Sequence, residues 1–545
     1  MQMIIIVLIC FILPMVILIK PVRESIVCKK SFIEFVREYK WELFVIFALI
    51  IGSLVRMIAI GQFPNALNVD EASSGYDAFA IMKHGIDRGG NSYPVYLYSW
   101  GSGQSALYSY LMIPVLAITG LTEYGIRLPM AIAGVISLYV FYYLIKNIFN
   151  DKKIAFVGLC FFSICPWHIM KSRWGMECNL FPDLVMIAVL LLVLGIKKKK
   201  IILQVLSFII LAISSYAYST SYLFLPVFVL GVLGYLIYKK EITWKKALAY
   251  LITVIVICVP IILYVVINVF DLNQIKILGL TIPKMALNRY SDTTTVFSGN
   301  IFENCVNNLL DTLKLLILQN DGLEWNAIHG YGMFYLVSIV FFVIGVMASV
   351  KKYRKNDFNE IMNIWMIAAI VLSAFCVINI NRINIIMIPC IYYISVGIYE
   401  IFARYKTMIP CIAIIYAYLF VTFSIDYYHQ DYNNYFTFTS GVKEVADYCE
   451  RTDCEKIYCY YSFKEPFIYF MFYTEADVHE YLNTVQYFNE NGTFDNIKSF
   501  GKYNFYLPEN VEENSVIIVP KGSILNYDVQ EKEKVSINQL DIYKF

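Results

Sequence analysis

Long apolar runs alternate with short polar breaks from the first residues to about position 425. A membrane-spanning helix needs about 20 mostly apolar residues. By that measure the runs predict twelve spans, at 2–19, 41–60, 126–148, 154–169, 180–196, 201–216, 222–238, 247–268, 331–350, 361–379, 383–403 and 407–425. Beyond 426 the pattern changes. Charge is spread throughout, and β-like runs at 456–461 and 515–519 alternate with helical stretches such as 442–450. That mixture predicts a small α/β domain. The expected fold class is a polytopic α-helical membrane protein of about 12 spans over 1–425, with a soluble α/β domain over 426–545.

Composition agrees with the pattern. Of 545 residues, 59% are hydrophobic and 16% charged, against about 25% charged in soluble domains. The 44 Tyr and 38 Phe exclude a disordered chain. A net charge of +2 offers no basic surface to a nucleic acid. A large soluble enzyme, a DNA binder and a secreted disulfide scaffold are therefore excluded. The 13 Cys are scattered, with no CxxC pair and no Cys/His spacing, so no structural zinc site is expected. Cys449, Cys454 and Cys459 lie close together in sequence and read either as one disulfide plus a thiol or as three thiols.

Basic residues orient the spans. Lys20, Arg23, Lys29, Lys30, Arg37 and Lys40 separate the first two runs, and Lys152–Lys153 follow the third. Residues 197–200 are all Lys, and further clusters follow at 239–246, 351–355 and 404–406. With twelve alternating spans every cluster falls on one side, which the positive-inside rule makes cytoplasmic. The loops 61–125 and 269–330 and the tail are then extracytoplasmic. The first run is read as a helix, because its basic cluster follows the apolar stretch and no small-residue cleavage site closes it.

The first outer loop carries the most informative acids. Asn68-Val-Asp70-Glu71 opens a predicted helix over 72–84 that Gly85 ends. One reading is capping, since Asn68 is a good N-cap and Glu71 stands three residues on. The other is catalytic: a helix N-terminus keeps a carboxylate ionised and able to take a proton from an acceptor hydroxyl. Tyr76, Phe79, Ala80 and Lys83 share one stripe, which predicts a helix lying along the membrane surface. Downstream, Gly89, Gly90, Gly101 and Gly103 are interleaved with Tyr93, Pro94, Tyr96, Tyr98 and Trp100, either an interfacial aromatic belt or a platform for sugar rings. A short apolar helix over 105–119 then precedes Arg127-Leu-Pro129.

Cations gather on the same expected face: Arg127, Lys171 and Arg173, and Arg382 in the short turn before 383–403. Each alone reads as a headgroup contact. Together they suit a lipid phosphate, which Arg binds bidentately, and Arg173 and Arg382 are the strongest candidates. Tyr218, in the Tyr-rich turn 216–222, reads as an interfacial anchor or as a hydroxyl for sugar or phosphate. His329 in the second loop reads as a solvated residue. It is alternatively a ligand for a divalent metal with Asp70 or Glu71, but no metal-ligand spacing supports that, so no metal is assigned.

A spanning helix, the outer Asp70-Glu71, a Gly/Pro/aromatic loop, Arg127-Leu-Pro129 and a soluble tail, in that order, resemble the lipid-carrier-dependent glycosyltransferases of the C-type (GT-C) fold. The bacterial relatives of protein O-mannosyltransferases and of the aminoarabinose transferase that modifies lipid A are the groups concerned. The likeness covers about 41–240 by motif and the rest by topology. It implies a polyprenyl-phosphate-linked monosaccharide as donor and transfer to an acceptor hydroxyl on the outer face of a bacterial plasma membrane. It implies Asp70 as general base with Glu71 beside it. It also matches Lys171-Ser-Arg173 and Glu177 to the family's Ser-Arg and acid at the next outer turn. On this reading Arg173, Arg382, Lys171 and Arg127 hold the donor phosphate, while Glu177, Tyr218, Trp100 and His329 meet sugar or acceptor. The Lys-Pro-Pro common among relatives is absent, and 99–104 stands near its place. No GxGxxG lies in a strand–helix–strand setting, so no nucleotide fold is expected. The rival readings are a polysaccharide polymerase or ligase, which would place paired Arg and His in a late loop, and a transporter or flippase of lipid-linked sugars, which would have midplane polar residues and short loops. Neither the sugar nor the acceptor, whether protein, wall polymer, lipid or glycan, is specified by the residues. The tail is expected to bind acceptor or to brace the outer loops.

Overall fold

The computed structural model describes all residues except 1, 66, 100–102, 286–299, 324, 430–440, 461–464, 489–496 and 527–532. Each predicted run holds a helix, though not every one is both long and apolar enough to count as a span by itself. Among the described residues eight helices are long and apolar enough to cross a membrane. A ninth counts if Lys152–Ile164 and Pro166–Ser172, bent by 60°, are one broken span. Pro166 explains the bend: it has no N–H to donate and forces Cys165 into extended backbone at φ −64°, ψ 120°. Ile201–Ser214 and Ser338–Lys351 have 14 residues each, about 21 Å of helix against a bilayer core of about 30 Å. Lys40–Met57 is long enough but carries Lys40, Glu42 and Arg56.

The chain forms two compact units: Met1–Ile58 with Met130–Val259 and Tyr290–Tyr427, and Ala59–Pro129 with Pro260–Arg289 and Tyr428–Phe545. The boundary expected at 426 lies beside the last of these junctions, while the second unit also takes in two segments expected within the membrane domain.

The first unit is helical. Its tightest crossing joins Ser338–Lys351 to Met387–Arg404. A Cβ on Gly345 would overlap the Tyr393 carbonyl, and one on Gly397 the Phe341 carbonyl. The backbones therefore touch with no side chain between them, the close approach that small residues permit between membrane helices.

The second unit holds a seven-stranded mixed sheet in the order Glu533–Ile537, Leu540–Lys544, Ser515–Pro520, Lys456–Cys459, Tyr503–Asn504, Ile497–Phe500 and Gln486–Tyr487. Its centre is parallel, with Ile457 opposite Val516 and Tyr458 opposite Ile517. The unbroken apolar run 516–519 is buried along its whole length, as a strand covered on both faces requires. The expected α/β tail is thus present. Cys449, Cys454 and Cys459 are all free thiols. Helix Pro466–Tyr473 packs on Val442–Arg451 and on Val69–His84 of the first outer loop. A hairpin, Ile275–Ile277 with Leu280–Ile282, is tied to that loop by Val95 N–H donating to Thr281 O and Thr281 N–H donating to Ser92 O, both at 3.0 Å.

Candidate functional site

In the second unit, Asn68 starts the acidic helix as expected. Its Oδ1 accepts from Asp70 N–H at 2.8 Å, and Glu71 Oε2 accepts from Asn68 N–H at 3.2 Å, completing a capping box. Gly85 ends the helix at φ 73°, a left-handed cap that glycine adopts without strain. The helix does not lie on a surface, however. Residues 71–81 are all buried, and eleven consecutive residues cover every face at 3.6 per turn. Of the expected membrane stripe, Tyr76, Phe79 and Ala80 are packed inside protein and Lys83 alone is exposed: Tyr76 Oη donates to Ala476 O at 2.7 Å, and a Cβ on Gly75 would press on Ile126 and Phe472. The hydroxyls of Ser73 and Ser74 and the bare Gly75 hide this burial in the residue pattern, because they make the helix look two-faced when helix Pro466–Tyr473 covers its other side.

The two acids have different fates. Glu71 is fully buried in a bidentate pair with Arg127, Nε to Oε1 at 2.9 Å and Nη2 to Oε2 at 2.8 Å. Arg127 Nη1 also donates to Ile60 O at 3.1 Å and Pro64 O at 2.7 Å. Arg127, expected among the phosphate ligands, is thus a buried clamp. Glu71, expected beside the base in catalysis, is its counter-ion. Asp70, one residue earlier, is only half-buried at the helix N-terminus.

Below Asp70 lies a polar cluster that the sequence reading did not anticipate. Asp77 Oδ1 accepts from Arg88 N–H at 3.1 Å and stands 3.7 Å from Arg88 Nε. Arg88 Nη2 donates to Ser73 Oγ at 2.5 Å and to Tyr98 O at 3.1 Å. Ser73 Oγ reaches Gln104 Oε1 at 3.3 Å. Asp87 organises the Gly-rich turn by accepting from the N–H groups of Gly89, Asn91 and Tyr98 at 2.8–3.2 Å. The available signal was Asp87-Arg-Gly-Gly-Asn91, an Asx-turn pattern. Trp100, expected to meet sugar, lies outside the described residues.

The first unit holds the other cations. Arg173 is buried, and its Nη1 donates to Val55 O at 3.0 Å and Ile58 O at 2.7 Å, capping the C-terminal end of Lys40–Met57. Its guanidinium lies 5.6 Å from the Tyr427 ring centre. Lys171, also expected at the phosphate, is buried instead against Asp183, Nζ to Oδ1 at 2.7 Å, and donates to Asn179 O at 3.0 Å. Arg382 is half-buried and donates to Val377 O at 3.4 Å. Asn384 Nδ2 donates to Cys178 O at 2.7 Å, and Ile380 N–H to Asp321 Oδ2 at 2.9 Å. The turns bearing Arg173 and Arg382 and the loop preceding His329 therefore meet within this unit. Glu177 is buried where a short 3-10 turn starts, Tyr218 is half-buried and His329 is exposed. Beside them is a second unforeseen group. Arg56 Nε donates to His168 Nδ1 at 3.1 Å, which leaves His168 Nε2 facing Asp183 Oδ1 at 3.6 Å. A charge inside an apolar run, as Arg56 and Asp183 are, was the signal for it. Among the described residues no group of three His, Cys, Asp or Glu is placed to hold a metal ion.

Comparison with known proteins places this geometry. A family model described as dolichyl-phosphate-mannose-protein mannosyltransferase matches residues 104–266, the stretch that contains Arg127, Lys171, Arg173, Glu177 and Tyr218. No curated protein matches the sequence. ArnT from Cupriavidus metallidurans bound to undecaprenyl phosphate superposes with a TM-score of 0.53 at 13% identity, over 80% of this chain and 84% of that one. Its apo form gives 0.52 at 12% identity, over 79% and 84%. The archaeal oligosaccharyltransferase AglB from Archaeoglobus fulgidus, in complex with an inhibitory peptide and a dolichol-phosphate, gives 0.49 at 11% identity over 81% of this chain, which spans 64% of that protein's length. The fold is the GT-C fold expected from the motif order.

Proposed function

We propose that the protein is a membrane glycosyltransferase that moves a sugar from a polyprenyl-phosphate carrier to an acceptor hydroxyl on the outer face of the membrane. The observation that carries this reading is the unequal environment of two adjacent carboxylates. Glu71 is locked on Arg127, while Asp70 is half-buried at a capped helix N-terminus. Neighbouring acids held in different environments divide their roles. Asp70 takes the acceptor proton, and the Glu71–Arg127 pair positions the helix that carries it. The acceptor oxygen attacks the anomeric carbon, the bond from that carbon to the phosphate oxygen breaks, and polyprenyl phosphate leaves with the electron pair. One displacement inverts the anomeric centre. Arg173 and Arg382 are assigned to the leaving phosphate. Arg173 donates to the carbonyls of Val55 and Ile58 and Arg382 to that of Val377, and cations oriented in this way stabilise developing negative charge. The donor class is supported by the family matched over 104–266 and by the undecaprenyl phosphate bound to the ArnT structure. The outer face is supported by the basic clusters between the apolar runs, which fall on one side if all twelve runs cross the membrane.

The test is to profile polyprenyl-phosphate sugars by mass spectrometry in cells lacking the protein, complemented with wild type or Asp70→Asn. One lipid-linked sugar should accumulate, and wild type alone should clear it. Loss of a general base lowers turnover about 10²–10⁴-fold. Clearance by both proteins removes Asp70 as base, and an unchanged lipid pool counts against a lipid-carrier donor.

A further inference from the structure

The first unit contains an apolar cavity of about 470 Å³ shared by four helices, Lys40–Met57, Lys152–Ile164, Met387–Arg404 and Ile409–Tyr427. Phe44, Phe47, Phe156, Ile398, Phe402 and Phe420 line it. The volume lies within the range of about 300–1,000 Å³ typical of small-molecule sites. Apolar walls of this kind do not retain water. Phe44 and Phe47 are 50% and 64% exposed, so the cavity opens at the side of the helices where acyl chains run.

One end of the cavity is charged. Lys40–Met57, Lys152–Ile164 and Ile409–Tyr427 begin there, and Met387–Arg404 ends there. Two contacts fix this alignment: Lys152 Nζ lies 2.6 Å from Glu42 Oε1, and Tyr399 Oη donates to Asp151 Oδ2 at 2.7 Å. Glu400 is likewise engaged by Lys352 at 2.7 Å. Those contacts occupy the acids at this end. Lys40, Lys153, Arg404 and Lys406 are exposed around it, with no ion pair to any of them among the described residues. An apolar slot for a chain, with surplus positive charge at headgroup level, is the arrangement that recognises an anionic lipid. We infer that the cavity binds an acidic membrane phospholipid, its acyl chain among the Phe side chains and its phosphate on the basic end. Occupancy ties the Ile409–Tyr427 helix to its three neighbours through the lipid.

The full-length protein, delipidated in detergent, is reloaded separately with phosphatidylglycerol, phosphatidylcholine and polyprenyl phosphate, and retained lipid is counted by native mass spectrometry. Phosphatidylglycerol should be retained in preference to phosphatidylcholine. Lys40→Gln with Lys406→Gln should weaken it about 30-fold, on the basis of about fivefold per cation. Ala413→Trp, at an exposed position on the cavity wall, should abolish retention while leaving the lipid-free melting temperature unchanged. Equal loading of the two phospholipids, or retention unchanged in both variants, overturns the inference. Displacement of phosphatidylglycerol by equimolar polyprenyl phosphate also overturns it and assigns the slot to the carrier chain.

Discussion

Two buried ion pairs, one in each unit, differ in what they hold. In the second unit Arg127 meets Glu71 with two parallel hydrogen bonds and places a further nitrogen on two carbonyls, so the pair is a rigid joint between segments far apart in sequence. In the first unit Lys171 touches Asp183 at one oxygen, beside His168, on the short helix Pro166–Ser172 that follows the bend at Pro166. A fork-shaped guanidinium matched to a carboxylate fixes orientation as well as distance, whereas an ammonium is a point charge. The first pair is therefore suited to aiming Asp70, and the second to neutralising charge where a helix is broken.

Breaking the rigid joint should have the largest effect on stability. Arg127→Met leaves Glu71 buried without its counter-ion and should cost about 3–5 kcal/mol, measured by denaturant unfolding in mixed micelles. The double variant Glu71→Met/Arg127→Met removes both charges and should recover most of that loss without restoring activity, because the helix is no longer oriented through Arg127. Full recovery of activity would show that the pair is only structural. Lys171→Met should cost less, about 2–3 kcal/mol, since His168 Nε2 stands 3.6 Å from the same Asp183 oxygen and can take over. Asp70→Asn marks the opposite case: stability should stay within about 0.5 kcal/mol of wild type while turnover collapses.

The smallest effect is pH-dependent and lies at the brace of the acidic helix. Asp477 caps Val478–Thr484, and the N–H groups of Glu480 and His479 hold its carboxyl below the usual range, with Glu480 the larger cause. His84 Nε2 stands 3.5 Å away. A depressed folded value means that the contribution is present above the unfolded pKa of about 3.9 and is lost as pH falls through the lower folded value. Hydrogen exchange over 478–484 should therefore be faster in Asp477→Ala than in wild type at pH 6, and the difference should shrink as pH falls through the lowered folded value. Asp477→Asn, which caps without titrating, should keep its protection across that range.

Much of this architecture was legible in the chain. Each apolar run holds a helix among the described residues, because burial in lipid demands about 20 apolar residues whatever the neighbours are. The capping box at Asn68 and Glu71, the stop at Gly85 and two central strands of the tail, Lys456–Cys459 and Ser515–Pro520, were readable because caps and strands are written in local spacing. The order of motifs pointed to the GT-C fold before any geometry was known. Tertiary structure decided the rest. It bent one run by 60° at Pro166 and limited two others to helices of 14 residues. It buried the 71–81 stretch under helix Pro466–Tyr473, nearly 400 positions away. It also gave Glu71 a buried bidentate arginine while leaving Asp70 half-buried at the helix N-terminus. A sequence states which residues are charged, but the arginine that neutralises Glu71 lies 56 positions away, and no local pattern encodes that distance.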